Sequence, residues 1–198
     1  MSPKRFMSLI AITSCSSVAM AEGKIEMPLA DIFYWGGAID EFYAGGGGDP
    51  AAGSQIISIE WTGLSLETYD NVGVPNYGSE AMVGIEATNA DGDLETIWFF
   101  PFPEANYQGT AANPIAQPDG ETFSFDLTDY NLELDALGQL RGLVTAAWWD
   151  GADAGEGYFA GMWTGGTVTI NYNKIPAPGA LALLGLAGLA GSGRRRRH

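Results

Sequence analysis

Residues 22–174 predict an all-β fold, a single antiparallel β-sandwich or jelly roll, on three observations. Apolar and polar residues alternate with period two in six short runs, glycine- and aspartate-rich clusters separate the runs, and one short stretch alone could be helical. With 46% hydrophobic and 12% aromatic residues, the 198-residue chain can fill one packed core. No repeat of roughly 20–50 residues recurs, which argues against a solenoid or propeller.

Taken in order, residues 33–35 (FYW) predict a short first strand, and the low-complexity segment 45–53 (GGGGDPAAG) predicts a loop. Residues 55–66 (QIISIEWTGLSL) set Ile57, Ile59 and Trp61 against Ser58 and Glu60. Residues 82–88 (MVGIEAT) and 94–100 (LETIWFF) flank Asn89-Ala90-Asp91-Gly92-Asp93, and Asp-Gly between two such runs marks a hairpin. Residues 122–127 (TFSFDL), 143–149 (LVTAAWW) and 166–172 (GTVTINY) complete the strands. A glycine-rich connection carrying Tyr158, Phe159 and Trp163 is expected between the last two. Residues 131–140 (NLELDALGQL) are the one segment that could be helical, and it is short.

Charge and composition exclude several functions. Between residues 22 and 174 there are three basic residues, Lys24, Arg141 and Lys174, against 24 acidic ones, a formal charge of −21. That balance keeps an exported protein soluble and monomeric, and it repels nucleic acid, whose binding depends on neutralising phosphates. The single cysteine, Cys15, and the single histidine, His198, both lie outside this segment. Disulfides, Ser-His-Asp and Cys-His machinery and His-ligated zinc are thereby excluded from it. Gly45–Gly48 leads into Asp-Pro with no following helix, so it is no phosphate loop. A glycosidase needs only a spaced carboxylate pair. Glu60, Glu86 and Glu95 lie on strands, where the simpler expectation is the solvated face.

Two constellations point to ligands. The turn Asn89, Asp91, Asp93 and Glu95 offers oxygens on alternate residues, a candidate for weak, millimolar calcium; an ordinary hairpin turn explains the same residues without an ion. Residues 150–156 (DGADAGE) offer a weaker version. The second constellation is aromatic: Trp35, Trp61, Trp98, Trp148, Trp149 and Trp163. Trp61 and Trp98 are expected in the core. Trp148 and Trp149 are neighbours on one strand and must face opposite ways, so one of them, beside Asp150, is the candidate sugar platform.

Both ends read as targeting segments. Lys4 and Arg5, an apolar run over residues 6–13 and the A-x-A site Ala19-Met20-Ala21 form an export signal cut after Ala21. A rival reading cuts before Cys15, in the lipobox-like Ile12-Thr13-Ser14-Cys15. At the other end, Pro176-Ala177-Pro178 precedes a short apolar helix over residues 180–190, then Arg194, Arg195, Arg196 and Arg197. Residues 178–193 would span roughly 24 Å as a helix, short of a hydrocarbon core of about 30 Å, with the arginines holding the cytoplasmic side.

This last arrangement resembles the PEP-CTERM sorting signal of Gram-negative bacteria. Ala177 stands where that family usually has Glu, in a proline-alanine-proline form similar to a known variant. The resemblance covers about the last 24 residues. It implies export, transient retention in the inner membrane, processing near Pro176-Ala177-Pro178 by an exosortase, and association with exopolysaccharide. The expected partners are therefore the Sec translocon, signal peptidase, the exosortase, the inner membrane and exopolysaccharide. The leading expectation is a non-enzymatic cell-surface or matrix protein without a cofactor. A carbohydrate-binding module comes second, and a carboxylate-based hydrolase third.

Overall fold

The computed structural model describes residues 22–36, 38–45, 52–70, 75–147 and 158–174. The export signal with Ala19 and Ala21, the rival Cys15, the sorting tail, Trp148, Trp149, Asp150 and the 150–156 loop lie outside the described residues. Among the described residues no helix is long and apolar enough to cross a membrane.

The described residues are all-β, as the periodicity predicts. Its strands are β1 (Glu22–Gly36), β2 (Asp40–Gly45), β3 (Gln55–Thr68), β4 (Ala81–Asn89), β5 (Leu94–Phe99), β6 (Ile115–Ala116), β7 (Thr122–Asp126), β8 (Leu132–Glu133), β9 (Gln139–Ala146) and β10 (Tyr158–Asn173). A front sheet runs β1–β10–β3, with β7 and β6 along the far side of β3. A back sheet runs β5–β4–β9–β2. The pairing closes into a flattened ring at two places. Short β8 pairs with both β3 and β4, and Gly36 of β1 meets Ala146 of β9. That last contact is parallel, the one departure from the expected antiparallel order among the described strands.

Each strand buries alternate residues because successive side chains point to opposite faces. In β1, Ile25, Met27 and Leu29 are buried while Lys24, Glu26 and Pro28 are exposed. In β4, Val83, Ile85 and Ala87 face inward and Met82, Glu86 and Thr88 outward. Trp163, fully buried, stacks near Phe102 and tilts against Tyr34 at the centre of the core.

Three strands are longer than a domain this size can hold straight. Sixteen residues of β10 would extend roughly 53 Å at 3.3 Å each, against a radius of gyration of about 15 Å for ~150 residues. They bend together at one level. Pairing slips beside Ala30 of β1, beside Gly165 of β10 and at Gly63 of β3. Asp31, Gly166 and Gly63 there have φ of 59°, 98° and 64°. A side chain on Gly166 would meet the Leu64 backbone at 2.5 Å, so the bend needs glycine.

The bend explains what the sequence pattern hid. β1 is 15 residues rather than the expected three, and β10 begins at Tyr158, not 166, because Gly161, Gly165 and Gly166 imitate a loop. β9 begins at Gln139 rather than 143. The helix that the sequence allows over 131–140 does not form. Asn131 is left-handed at φ 50°, Leu132–Glu133 form β8, and residues 135–139 turn tightly. The Asp135 carboxylate accepts the N–H groups of Leu137 and Gln139 at 2.8 and 2.7 Å, which satisfies the turn locally. Leu132, Leu134 and Leu140 all reach the core, and Leu137 sits 72% exposed at the tip. The segment is thus a strand, a turn and the start of a second strand.

Candidate functional site

A recurring device shapes the sheets. Four strand glycines stand directly opposite an aromatic in the pairing register: Gly23 with Tyr172, Gly161 with Tyr34, Gly142 with Phe42, and Gly84 with Trp98. In each, the ring lies over the glycine: an added Cβ would fall 2.2 to 2.6 Å from its nearest atom. The bare backbone leaves a hollow, and the neighbour's ring fills it. Tyr172, Tyr34 and Phe42 point into the core.

Trp98 points the other way. Its neighbour Phe99 and the residue opposite Phe99, Val83, are core residues, so Gly84 and Trp98 share the outer face of the back sheet. Trp98 is half-buried, makes no ring–ring contact among the described residues, and does not join the core expected of it. Trp61 comes nearer to that expectation. It is partly buried at the sandwich edge, against Phe99 (5.7 Å) and stacked on Phe123 (6.2 Å, 17°).

The outer back face is organised in rows set by register. One row reads Trp98, Gly84, Leu143, Glu41, and the next reads Thr96, Glu86, Arg141, Tyr43. Leu143 is 2% exposed yet lies outside the core cluster. Beside this apolar floor runs a polar rim. Thr96 Oγ1 donates to Glu86 Oε2 at 3.2 Å, and Arg141 pairs with both Glu86 and Glu41. Its bond to Glu41 leads in pushing the Arg141 guanidinium above its ordinary value, with Glu86 adding to the effect. Tyr43 stands 65% exposed at the end of the row.

Beyond the end of β5 a shallow cleft of about 520 Å³ is lined by Tyr77, Ser79, Glu80, Phe100, Pro103 and Asn106. Ser79 Oγ donates to Asn106 Oδ1 at 2.9 Å, and Glu80 Oε2 accepts the Tyr77 N–H at 2.9 Å. Burial pushes the Glu80 carboxyl above its ordinary value, against the opposing effect of that bond. Phe100, 42% exposed, places a ring at this cleft two residues beyond Trp98.

The carboxylates singled out by sequence are held apart. Glu60 lies on the outer front face, in register with Ser124 and Thr169. Glu86 pairs with Arg141 on the outer back face. Glu95, in register with Ala87 of the inner face, accepts a bond from the Asn89 side chain at 2.8 Å. The Asn89–Glu95 turn is tied from within: Asn89 Oδ1 accepts the N–H groups of Asp91 and Asp93, both at 3.0 Å, and Gly92 takes φ 88°. Asp91 and Asp93 are exposed. No group of three or more acidic, histidine or cysteine side chains among the described residues is placed to hold a metal.

Sequence reasoning passed over Trp98 as a surface residue because LETIWFF is apolar at both parities. The available signal was Gly84 in the partner strand, which alone in Met82–Thr88 offers no side chain to its face.

The chain matches no protein-family profile and no curated protein. Among solved structures, one of the infectious bursal disease virus Gx strain is 14% identical over 90% of this chain and 38% of that chain, with a TM-score of 0.30. One of the Gt strain is 12% identical over 89% and 42%, with a TM-score of 0.26. The chain spans about two fifths of the length of those viral chains.

Proposed function

We propose that this protein is an exported, non-enzymatic component of the cell surface or extracellular matrix, held briefly in the inner membrane and released through its C-terminal tail. The observation that carries the reading is the ordered triplet of Pro176-Ala177-Pro178, an apolar run and four arginines, behind a chain that opens on an export signal. Its domain then works by contact. The absence of histidine and cysteine between residues 22 and 174 removes most catalytic reagents, and Glu86 and Glu95 are taken up by Arg141 and Asn89 respectively.

The test is the intact mass of the protein recovered from envelope and medium of the native host. A released form starting at Glu22 and ending near Pro178 is expected. Recovery in the cytoplasm, or a released form that keeps residues 179–198, overturns the reading.

A further inference from the structure

We infer that the outer face of the back sheet, centred on Trp98, is a binding platform for a neutral polysaccharide chain. The inference rests on the proposed contact function and names its ligand class and site.

The Trp98 ring lies over Gly84, with ring atoms 2.6 to 3.1 Å from where a Cβ on that glycine would sit, and it takes no part in the core. The C–H face of a pyranose is apolar, and it can lie on an indole whose π-face carries negative charge. The hydroxyls at the sugar's rim then need donors and acceptors close by. Thr96, Glu86, Arg141 and Tyr43 supply both kinds in the adjacent row, spaced by strand pairing roughly 4.8 Å apart. The positions of Thr96, Glu86 and Arg141 are set beforehand by the Thr96–Glu86 bond and the two ion pairs of Arg141, so little ordering of these three remains on binding.

Charge selects the class of glycan. Two carboxylates flank the one guanidinium here, and the segment 22–174 carries −21 in all. Uronic or sulfated chains would meet repulsion on a face whose one cation among the described residues, Arg141, is already paired, whereas neutral hexose chains would not.

The test uses the full chain in a zwitterionic detergent, since glycosidic detergents would compete. Neutral β-1,4- and β-1,3-glucan and mannan oligosaccharides are titrated by calorimetry and tryptophan fluorescence, with oligogalacturonate as the charged comparison. Binding of a neutral probe is expected, weakened about ten-fold or more by Trp98→Ala, the scale of a lost stacking surface. Thr96→Val, which keeps the ring and the fold, is expected to weaken it about three-fold or more, as one lost hydrogen bond does. Binding lost in Trp148→Ala or Trp149→Ala but kept in Trp98→Ala would overturn the site. No binding of a neutral probe by the wild-type chain, or tighter binding of oligogalacturonate, would overturn the ligand class. New reducing ends in the same samples would instead overturn the non-catalytic reading.

Discussion

Phe42 and Trp98 sit on opposite sides of one sheet and do the same local job, each folding over a glycine of the neighbouring strand. Phe42 lies over Gly142 and joins the core; Trp98 lies over Gly84 and faces out. The aromatic seam at the sandwich edge makes the contrast sharper. There Phe123, Trp61, Phe99, Phe125 and Tyr130 form a chain of ring contacts in that order, which ties β7 of the front sheet to β5 of the back. An aromatic ring that touches other rings holds the sandwich together. One that lies over a glycine on the outer face, with no ring–ring contact among the described residues, is placed for another partner. Burial alone would not separate Trp61 from Trp98, both half-buried; their neighbours do.

The comparison breaks first, and hardest, at the core. Tyr34→Ala, which empties the space over Gly161, should cost about 3–5 kcal/mol in chemical denaturation, as large buried aromatics do. A loss below about 1 kcal/mol would mean that the inward rings are no more structural than Trp98. Next come the two back-sheet glycines. Gly142→Ala drives a methyl into the Phe42 ring against the core and should cost about 1–3 kcal/mol. Gly84→Ala crowds Trp98 just as closely, but that ring can lift into solvent, so the cost should stay under about 1 kcal/mol. Equal losses at both positions would place Trp98 among the structural rings. Trp98→Ala itself should shift stability by about 1 kcal/mol or less, measured by the same denaturation.

The smallest effect concerns pH. Because burial raises the Glu80 carboxyl above its ordinary 4.5, the folded chain binds that proton more tightly than the unfolded one. Its contribution to stability is therefore full below 4.5 and is lost as pH rises through the raised value. Glu80→Gln should remove this fall and leave the two proteins alike at low pH. A variant whose disadvantage grows with pH would show that the Tyr77 bond outweighs burial.

Much of the fold was legible in the chain. Period-two alternation placed β3, β4, β5 and β7 within one or two residues, and Asn89 with Asp91-Gly92 marked the hairpin between β4 and β5. Alternation failed where strands bend. A slip in pairing reverses which parity faces inward, and β1 and β10 each change parity within their own length. The leucines of 131–140 misled for a related reason: Leu132, Leu134 and Leu140 converge on the core across a turn, and a turn between strands can mimic a helical repeat.

By itself the sequence determined the all-β class, the acidic surface, and the absence of histidine and cysteine chemistry from residues 22–174. These depend on composition and on local periodicity, which neighbouring residues carry together. Tertiary structure alone decided which tryptophan faces out. Trp98 lies in an apolar run whose two parities look alike, and its direction is set by pairing with Gly84, fourteen residues earlier. The rim is more distant still: Arg141 meets Glu86 and Glu41 only because β9 lies between β4 and β2. Strand order is a property of the whole sandwich, settled by which faces must share one core, and no single segment encodes it.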